Sequence, residues 1–504
     1  MTKRLQFFSG GEWCDSTTDE WYPITNSSTG EVMAEAPRCT SAEVNGAVAA
    51  AAAAYPAWRD TPLPQRVQVM FRFKERLEAN LHDLAVLTAT EMGKSYVEAR
   101  GDVLKVIEVV ELACALPVTM QGDSLMNVSK GFDTATYREP LGVFVGIAPW
   151  NFPAMIPMGW MMPLAVTTGN TFVLKAASPV PQTAMRLAEL LHDSGLPPGV
   201  FNLVTCSRHE AEQLLTHPDV RGVTFVGSKK VGWHVYLTAA AAGKRVQALT
   251  EAKNHALVLR DAPIRATAQR IINSAFGCAG QRCMALPVIA VEEAIADDLV
   301  AALTELAAQR RMGPAWEEST ELGPLVDAEH RDFVSGWIQK SIEEGAELVL
   351  DGRGVTVPGY EGGYFMGPTI FDRITPEMSC GWEEVFGPVL YIKRVKDFDE
   401  GIELINSSEF ANGASVFTRS GYHAREFARR IHGGMVGINV GIPVPISVFP
   451  FSGHKNSFSG DLHVMGRDGV AFFTETKAVT SYWFDEADMR GDKVSTWEGT
   501  ISRT

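Results

Sequence analysis

The sequence predicts an α/β protein with two α/β domains of the dinucleotide-binding, Rossmann-like type. Three observations lead there. The chain has 504 residues, more than one ordinary core accommodates, which calls for two or three domains. Short β-branched runs alternate with helical stretches between 143 and 226, the pattern of a parallel sheet. A second alternation of the same kind begins near Val246. No Pro- or Ser-rich linker separates the halves, so they are expected to pack tightly.

Residues 42–56 carry the alanine run 49–54, a strong helix former. The stretch 65–87 places apolar residues at helical spacing with charges between them. Val143–Ile147 and 171–174 read as buried strands, 182–191 as the helix after them, and 200–204 and 223–226 as further strands. In the second half, 255–259 and 287–291 read as strands and 265–275 and 296–308 as helices. From Pro140 to Leu174 there is no charge, and that length would span a bilayer. Pro149, Pro153, Pro157 and Pro163 interrupt it, so a buried strand, a loop and the start of a helix are expected, with no membrane segment. The polar tail after Trp483 is expected to be partly mobile.

With 46% hydrophobic and 21% charged residues, the chain reads as soluble and globular. A net charge of −15 argues against a nucleic-acid surface, which needs clustered Lys and Arg. Cysteines at 14, 39, 114, 206, 278, 283 and 380 form no C-x-x-C pair. Their odd number and wide spacing suggest neither a disulfide framework nor a metal site. Met1-Thr2-Lys3-Arg4 is followed by no apolar core of signal-peptide length, so a reducing cytoplasm is the expected setting.

The chemistry is concentrated in Phe276-Gly277-Cys278-Ala279-Gly280-Gln281-Arg282-Cys283-Met284. Small residues let a substrate approach the backbone, and a guanidinium beside a thiol favours the nucleophilic thiolate. On composition alone this is equally a buried cysteine on a tight turn. A second motif, Phe225-Val226-Gly227-Ser228-Lys229-Lys230-Val231-Gly232, follows a strand and opens a helix. Gly227 and Gly232 would let the backbone approach a pyrophosphate, and Ser228 would bond it near a helix N-terminus.

Gly280-Gln281-Arg282-Cys283 resembles the catalytic loop of the aldehyde dehydrogenase superfamily, G-Q-x-C. Arg282-Cys283-Met284-Ala285 is similar to the branch that oxidises malonate and methylmalonate semialdehydes to acyl-CoA. The resemblance runs in order from about Trp13 to Trp483. It implies Cys283 as the nucleophile, with Cys278 as its rival, and Asn151 of Pro149-Trp150-Asn151-Phe152-Pro153 as oxyanion donor. The flanking Pro149 and Trp150 are expected to touch the cofactor. It implies Lys175 at the adenosine ribose, and Glu384 and Phe386 of Glu383-Glu384-Val385-Phe386-Gly387-Pro388 at the nicotinamide ribose and ring. It also implies a cofactor domain over 1–128 and 147–248 and a catalytic domain over 249–455. A small β oligomerisation arm and tail would take 129–146 and 470–504, with 133–138 and 478–483 as arm strands pairing across a homodimer or homotetramer.

The chain departs from the pattern at four places. Ser178 stands where many relatives carry a glutamate that grips the adenosine ribose, which makes NADP admissible beside NAD. Leu249 stands where hydrolytic members carry a general base, which suits transfer to CoA. Glu251 stands at a usual glycine and is either a displaced base or a local change at the site entrance. Of the two arginines implied for a substrate carboxylate, Arg282 is present, whereas Lys105 keeps the charge and loses the planar fork; Lys105 is equally readable as an exposed helix charge. Gly441-Ile442-Pro443-Val444-Pro445, Phe449-Pro450-Phe451-Ser452-Gly453 and Gly460-Asp461-Leu462-His463 resemble the acylating branch near its substrate funnel. The expectation is NAD(P)-dependent oxidation of a small acid semialdehyde with CoA as co-substrate. The alternatives are hydrolytic release of a free acid and a catalytically silent homologue.

Overall fold

A computed structural model describes residues 2–491; the expectation for the tail beyond Trp483 falls partly outside them. Two sheets organise the chain. The first has eight strands, in the order Phe458–Ser459, Arg245–Leu249, Val220–Val226, Val143–Ile147, Thr171–Lys175, Phe201–Val204, Phe7–Ser9 and Glu12–Cys14. Its five central strands are parallel, while the edges pair antiparallel. Val143–Ile147 and Thr171–Lys175 are almost wholly buried and rich in Val, Ile and Phe, as strands covered on both faces must be.

The second sheet has seven strands: Glu347–Leu350, Thr369–Asp372, Val389–Val395, Val288–Glu292, His255–Val258, Gly413–Phe417 and Met435–Ile438. All pairs are parallel except the first. Helices Ile264–Phe276 and Glu293–Ala308 pack on it through Ile271, Ile272, Leu299 and Leu303.

Three sequence expectations shift. The stretch 65–87 is two helices, Leu63–Ala79 and Leu81–Met92, broken at Asn80, whose side-chain amide donates to Arg76 O at 2.8 Å. The charge-free stretch contains a π-helical turn, Ile156–Met161, running into the short helix Met162–Thr167. Pro157 and Pro163 sit in the first turns, where a missing N–H costs little. Among the described residues, no helix is long and apolar enough to cross a membrane. The arm boundary also moves. Strand Val143–Ile147 lies inside the eight-stranded sheet, so the arm ends at Pro140 rather than at 146. Its sheet pairs Phe132–Pro140 antiparallel with Thr474–Tyr482 along nine residues and adds a third strand, Ser124–Ser129.

Candidate active site

Helix Ile264–Phe276 ends in the turn Gly277–Gly280, where the chain reverses through positive φ at Cys278 (49°), Ala279 (52°) and Gly280 (73°). A Cβ on Gly280 would stand 1.9 Å from Gly387 O, so only glycine lets the thiol loop lie against Gly387. The buried Gln281 locks this loop. Its Nε2 donates to Cys278 O at 3.0 Å, and its Oε1 accepts the Val326 N–H at 3.0 Å. The Cys283 carbonyl accepts from Asn254 Nδ2 (2.8 Å) and Asn412 Nδ2 (3.2 Å). Asn254 and Asn412 escaped sequence reasoning, because isolated amides carry no spacing signal.

Cys283 is half-buried and lines a cleft of about 230 Å³ together with Pro149, Trp150, Asn151, Gly227, Ser228, Glu251, Glu384 and Phe386. Cys278 is buried elsewhere: its Sγ accepts from Arg282 Nε at 3.2 Å, and its N–H is held by both Glu98 oxygens at 2.8 and 2.9 Å. Arg282 also pairs with Glu98 at 2.8 Å. The guanidinium is therefore committed to Glu98 and Cys278. A substrate carboxylate would have to take the place of Glu98 on it. The thiolate benefit expected from Arg282 is outweighed: burial first, and then the Glu384 carboxylate, push the Cys283 thiol up to about 12. Glu98 was missed, because its partner is 184 residues away in sequence.

Asn151 is 4% exposed, and its side-chain amide donates to Gln281 O at 3.2 Å, which ties the Asn151 turn to the thiol loop. Behind it lies a buried ion pair, Lys94 Nζ–Asp102 Oδ2, at 2.9 Å. Asp102 Oδ1 accepts the Met155 N–H at 2.7 Å, and Lys94 sits 3.6 Å from the centre of the Phe152 ring. Phe386 takes φ 56° and meets Trp150 edge-on, ring centres 5.5 Å apart. His330 Nε2 donates to Phe386 O at 2.8 Å. Glu384 is engaged with the Ala252 N–H at 3.0 Å; burial above all raises its carboxyl to about 8, with the Ala252 bond opposing and Glu251 adding to the rise.

Lys175 ends its strand, and burial of its ammonium lowers its pKa. Ser178 is half-buried in the turn that follows. The space beside Gly232 is filled: a Cβ there would meet Thr250 Cγ2 at 2.3 Å, so glycine is needed here for close helix–strand packing. Gly227 is likewise hemmed in by Phe225, 2.6 Å from where its Cβ would be. Ser228 precedes helix Lys229–Ala241 without a side-chain cap bond, which leaves its hydroxyl available to an anion.

Leu249 is buried at the end of its strand, paired with Phe458. Glu251 turns its carboxylate to the Lys229 N–H at 3.0 Å, and burial raises its pKa. Lys105 is not an open helix charge. It donates to Glu108 at 2.7 Å and to Pro445 O at 3.4 Å, while Glu108 accepts the Ser447 N–H at 2.5 Å. It thus meets the proline-rich segment that the sequence placed at the substrate funnel. Among the described residues, no group of three or more His, Cys, Asp or Glu could hold a metal.

The residues of the cleft fit a dinucleotide's nicotinamide half: flat aromatic walls at Trp150 and Phe386, an uncommitted Ser228 hydroxyl at a helix start, and a thiol facing the same space. Two parallel α/β sheets joined around that thiol define a dinucleotide-dependent oxidoreductase working through cysteine. The sequence profile of the aldehyde dehydrogenase family matches residues 13–479, and the chain belongs to that family. It is 47% identical over 479 residues to malonate-semialdehyde dehydrogenase 2 of Geobacillus kaustophilus (strain HTA426), covering 95% of this chain and 99% of the relative. Among solved structures, the methylmalonate-semialdehyde dehydrogenase of Oceanimonas doudoroffii superposes with TM-score 0.94 at 39% identity, covering 97% of this chain and all of that one (100%). A Sinorhizobium meliloti 1021 protein, described as a methylmalonate-semialdehyde dehydrogenase and solved with NAD, superposes with TM-score 0.94 at 38% identity, covering 97% and 99% of the two chains.

Proposed function

We propose that this enzyme oxidises malonate or methylmalonate semialdehyde with NAD and transfers the acyl group to CoA. The observation that carries the CoA step is Leu249, a buried hydrocarbon side chain where a hydrolytic member needs a base. Cys283, as its thiolate, attacks the aldehyde carbon, forming a C–S bond while the carbonyl π bond opens to a thiohemiacetal oxyanion. The Asn151 amide and the Cys283 backbone N–H stabilise that charge. Bound NAD supplies the hydride acceptor, and Glu384 and Phe386 orient its nicotinamide end. The thioester that remains is cleaved by the CoA thiol, which takes the acyl group and returns the Cys283 thiol. CoA needs no side-chain base, since part of it is already thiolate near neutral pH. A malonyl-type acid loses CO₂ in the process.

Arg282 and Lys105 are the cations a substrate carboxylate would use, by displacing Glu98 from the first and Glu108 from the second. Ser178 leaves room for a 2′-phosphate and makes NADP a second cofactor. The exposed arm sheet supports a homodimer or homotetramer, and the reduced, scattered cysteines support a cytoplasmic setting.

Turnover of malonate semialdehyde with NAD and NADP separately, with and without CoA, tests this. Acyl-CoA found by mass spectrometry only when CoA is present is the expected result. Free acid formed equally well without CoA would transfer the chain to the hydrolytic class, with Glu251, which lines the same cleft as Cys283, as the base.

A further inference from the structure

The turn that starts helix Lys229–Ala241 lines the cleft holding Cys283. An anion is already seated on that helix. The Lys229 N–H donates to Glu251 Oε1 at 3.0 Å, while Ser228, the N-cap residue, contributes no side-chain cap. The loop carrying Glu251 is anchored from behind, since the next residue, Ala252, gives its N–H to Glu384 at 3.0 Å. The position is usually a glycine in the family pattern that the sequence resembles, so this carboxylate departs from that pattern. A dinucleotide's pyrophosphate draws on the same N–H groups and the same end of the helix dipole. Two anions cannot share them without strong repulsion.

We propose that Glu251 is a built-in competitor for the cofactor's pyrophosphate, displaced from the Lys229 N–H whenever the dinucleotide binds. The inference rests on reading the cleft as a dinucleotide site. The displaced carboxylate has several titratable neighbours. Lys229 and Lys230 lie on the helix, Lys229 is itself paired with Glu409 at 2.5 Å, and Glu383 and Glu384 come from the opposite loop. Burial, and then Glu383 and Glu409, raise the Glu251 pKa, whereas the Lys229 N–H lowers it. Losing that bond while gaining a phosphate neighbour raises it further, so cofactor binding takes up a proton. Affinity for NAD therefore falls as pH rises.

The test is equilibrium binding of NAD to the intact protein and to Glu251→Gln and Glu251→Gly, by calorimetry at about pH 6 and about pH 8 in buffers of different ionisation enthalpy. Removing the charge is expected to lower Kd by about three- to tenfold at the higher pH and to abolish most of the proton uptake. The Gln variant preserves side-chain shape, and a melt without NAD establishes that each variant is folded. Equal Kd and equal proton uptake in all three proteins would overturn the competitor and leave the cofactor site standing. Weaker binding in both variants would also overturn it, making Glu251 a cofactor ligand. No NAD binding to any of the three would remove the cofactor reading and this inference together.

Discussion

At Cys283 two opposing fields meet. Burial and Glu384 hold the thiol protonated, while Arg282, the nearby cation, is largely neutralised by Glu98. A thiol pushed up to about 12 loses its proton only as pH approaches that value, so the thiolate fraction should grow about tenfold per pH unit below it. Alkylation of the cofactor-free enzyme by iodoacetamide should climb accordingly from about pH 6 to about pH 9. Glu98→Gln removes the charge that offsets Arg282, which lowers the Cys283 pKa. Its alkylation at neutral pH should speed up by about threefold or more, and an unchanged rate would show that Arg282 does not act on this thiol. Cys283→Ala should abolish aldehyde oxidation, with a loss of at least about a thousandfold in kcat. Retained turnover would move the nucleophile to Cys278. Cys283, Asn151 and Glu384 were legible as residues because each sits in a short motif. Their partners Glu98, Asn254, Asn412 and His330 were not, because single polar residues far apart in sequence announce no contact.

At the scale of elements, positioning depends on a few buried polar anchors. Lys94, in the connection between helices Leu81–Met92 and Tyr96–Cys114, and Asp102, inside the second of them, have fully buried side chains paired at 2.9 Å. Together they fix the Phe152 ring and the Met155 N–H just beyond Asn151. Asp102→Ala would leave a buried ammonium without its partner, a loss of about 3 to 5 kcal/mol measured by urea unfolding. If Asp102→Ala unfolds at the same urea concentration as the parent, the pair is not a structural anchor. The capping box of Thr40 and Glu43 starts the helix Ser41–Asp60 in a way the sequence pattern T-x-x-E advertises. The break at Asn80 was not advertised in the same way, since helical periodicity continues on both sides of it. Both helices pack on the same two neighbours, Tyr96–Cys114 and Pro181–Asp193, so the change of axis shows only in the folded chain.

For the whole molecule, the arm is the segment whose surface asks for more structure. Its sheet leaves Leu125, Met126, Tyr137 and Val479 exposed. Apolar strand faces in water favour association. Truncation after Phe473 removes the strand Thr474–Tyr482, and light scattering should then report a smaller assembly than for the full chain. An unchanged molecular mass would place the subunit contacts elsewhere. The class of fold was determined by the sequence itself, and so was the choice of Cys283 as the proposed nucleophile, because strand–helix alternation and G-Q-x-C are local patterns in which each residue's meaning is set by close neighbours. The tertiary structure alone decided that Arg282 faces Glu98, that Gly232 is a packing glycine, that Lys105 meets the Pro445 segment, and that Glu251 sits on the Lys229 N–H. The physical reason is the same in each case. The charge a side chain presents to a ligand is what remains after its neighbours in space have been counted, and those neighbours are brought together by sheets whose strands lie hundreds of residues apart.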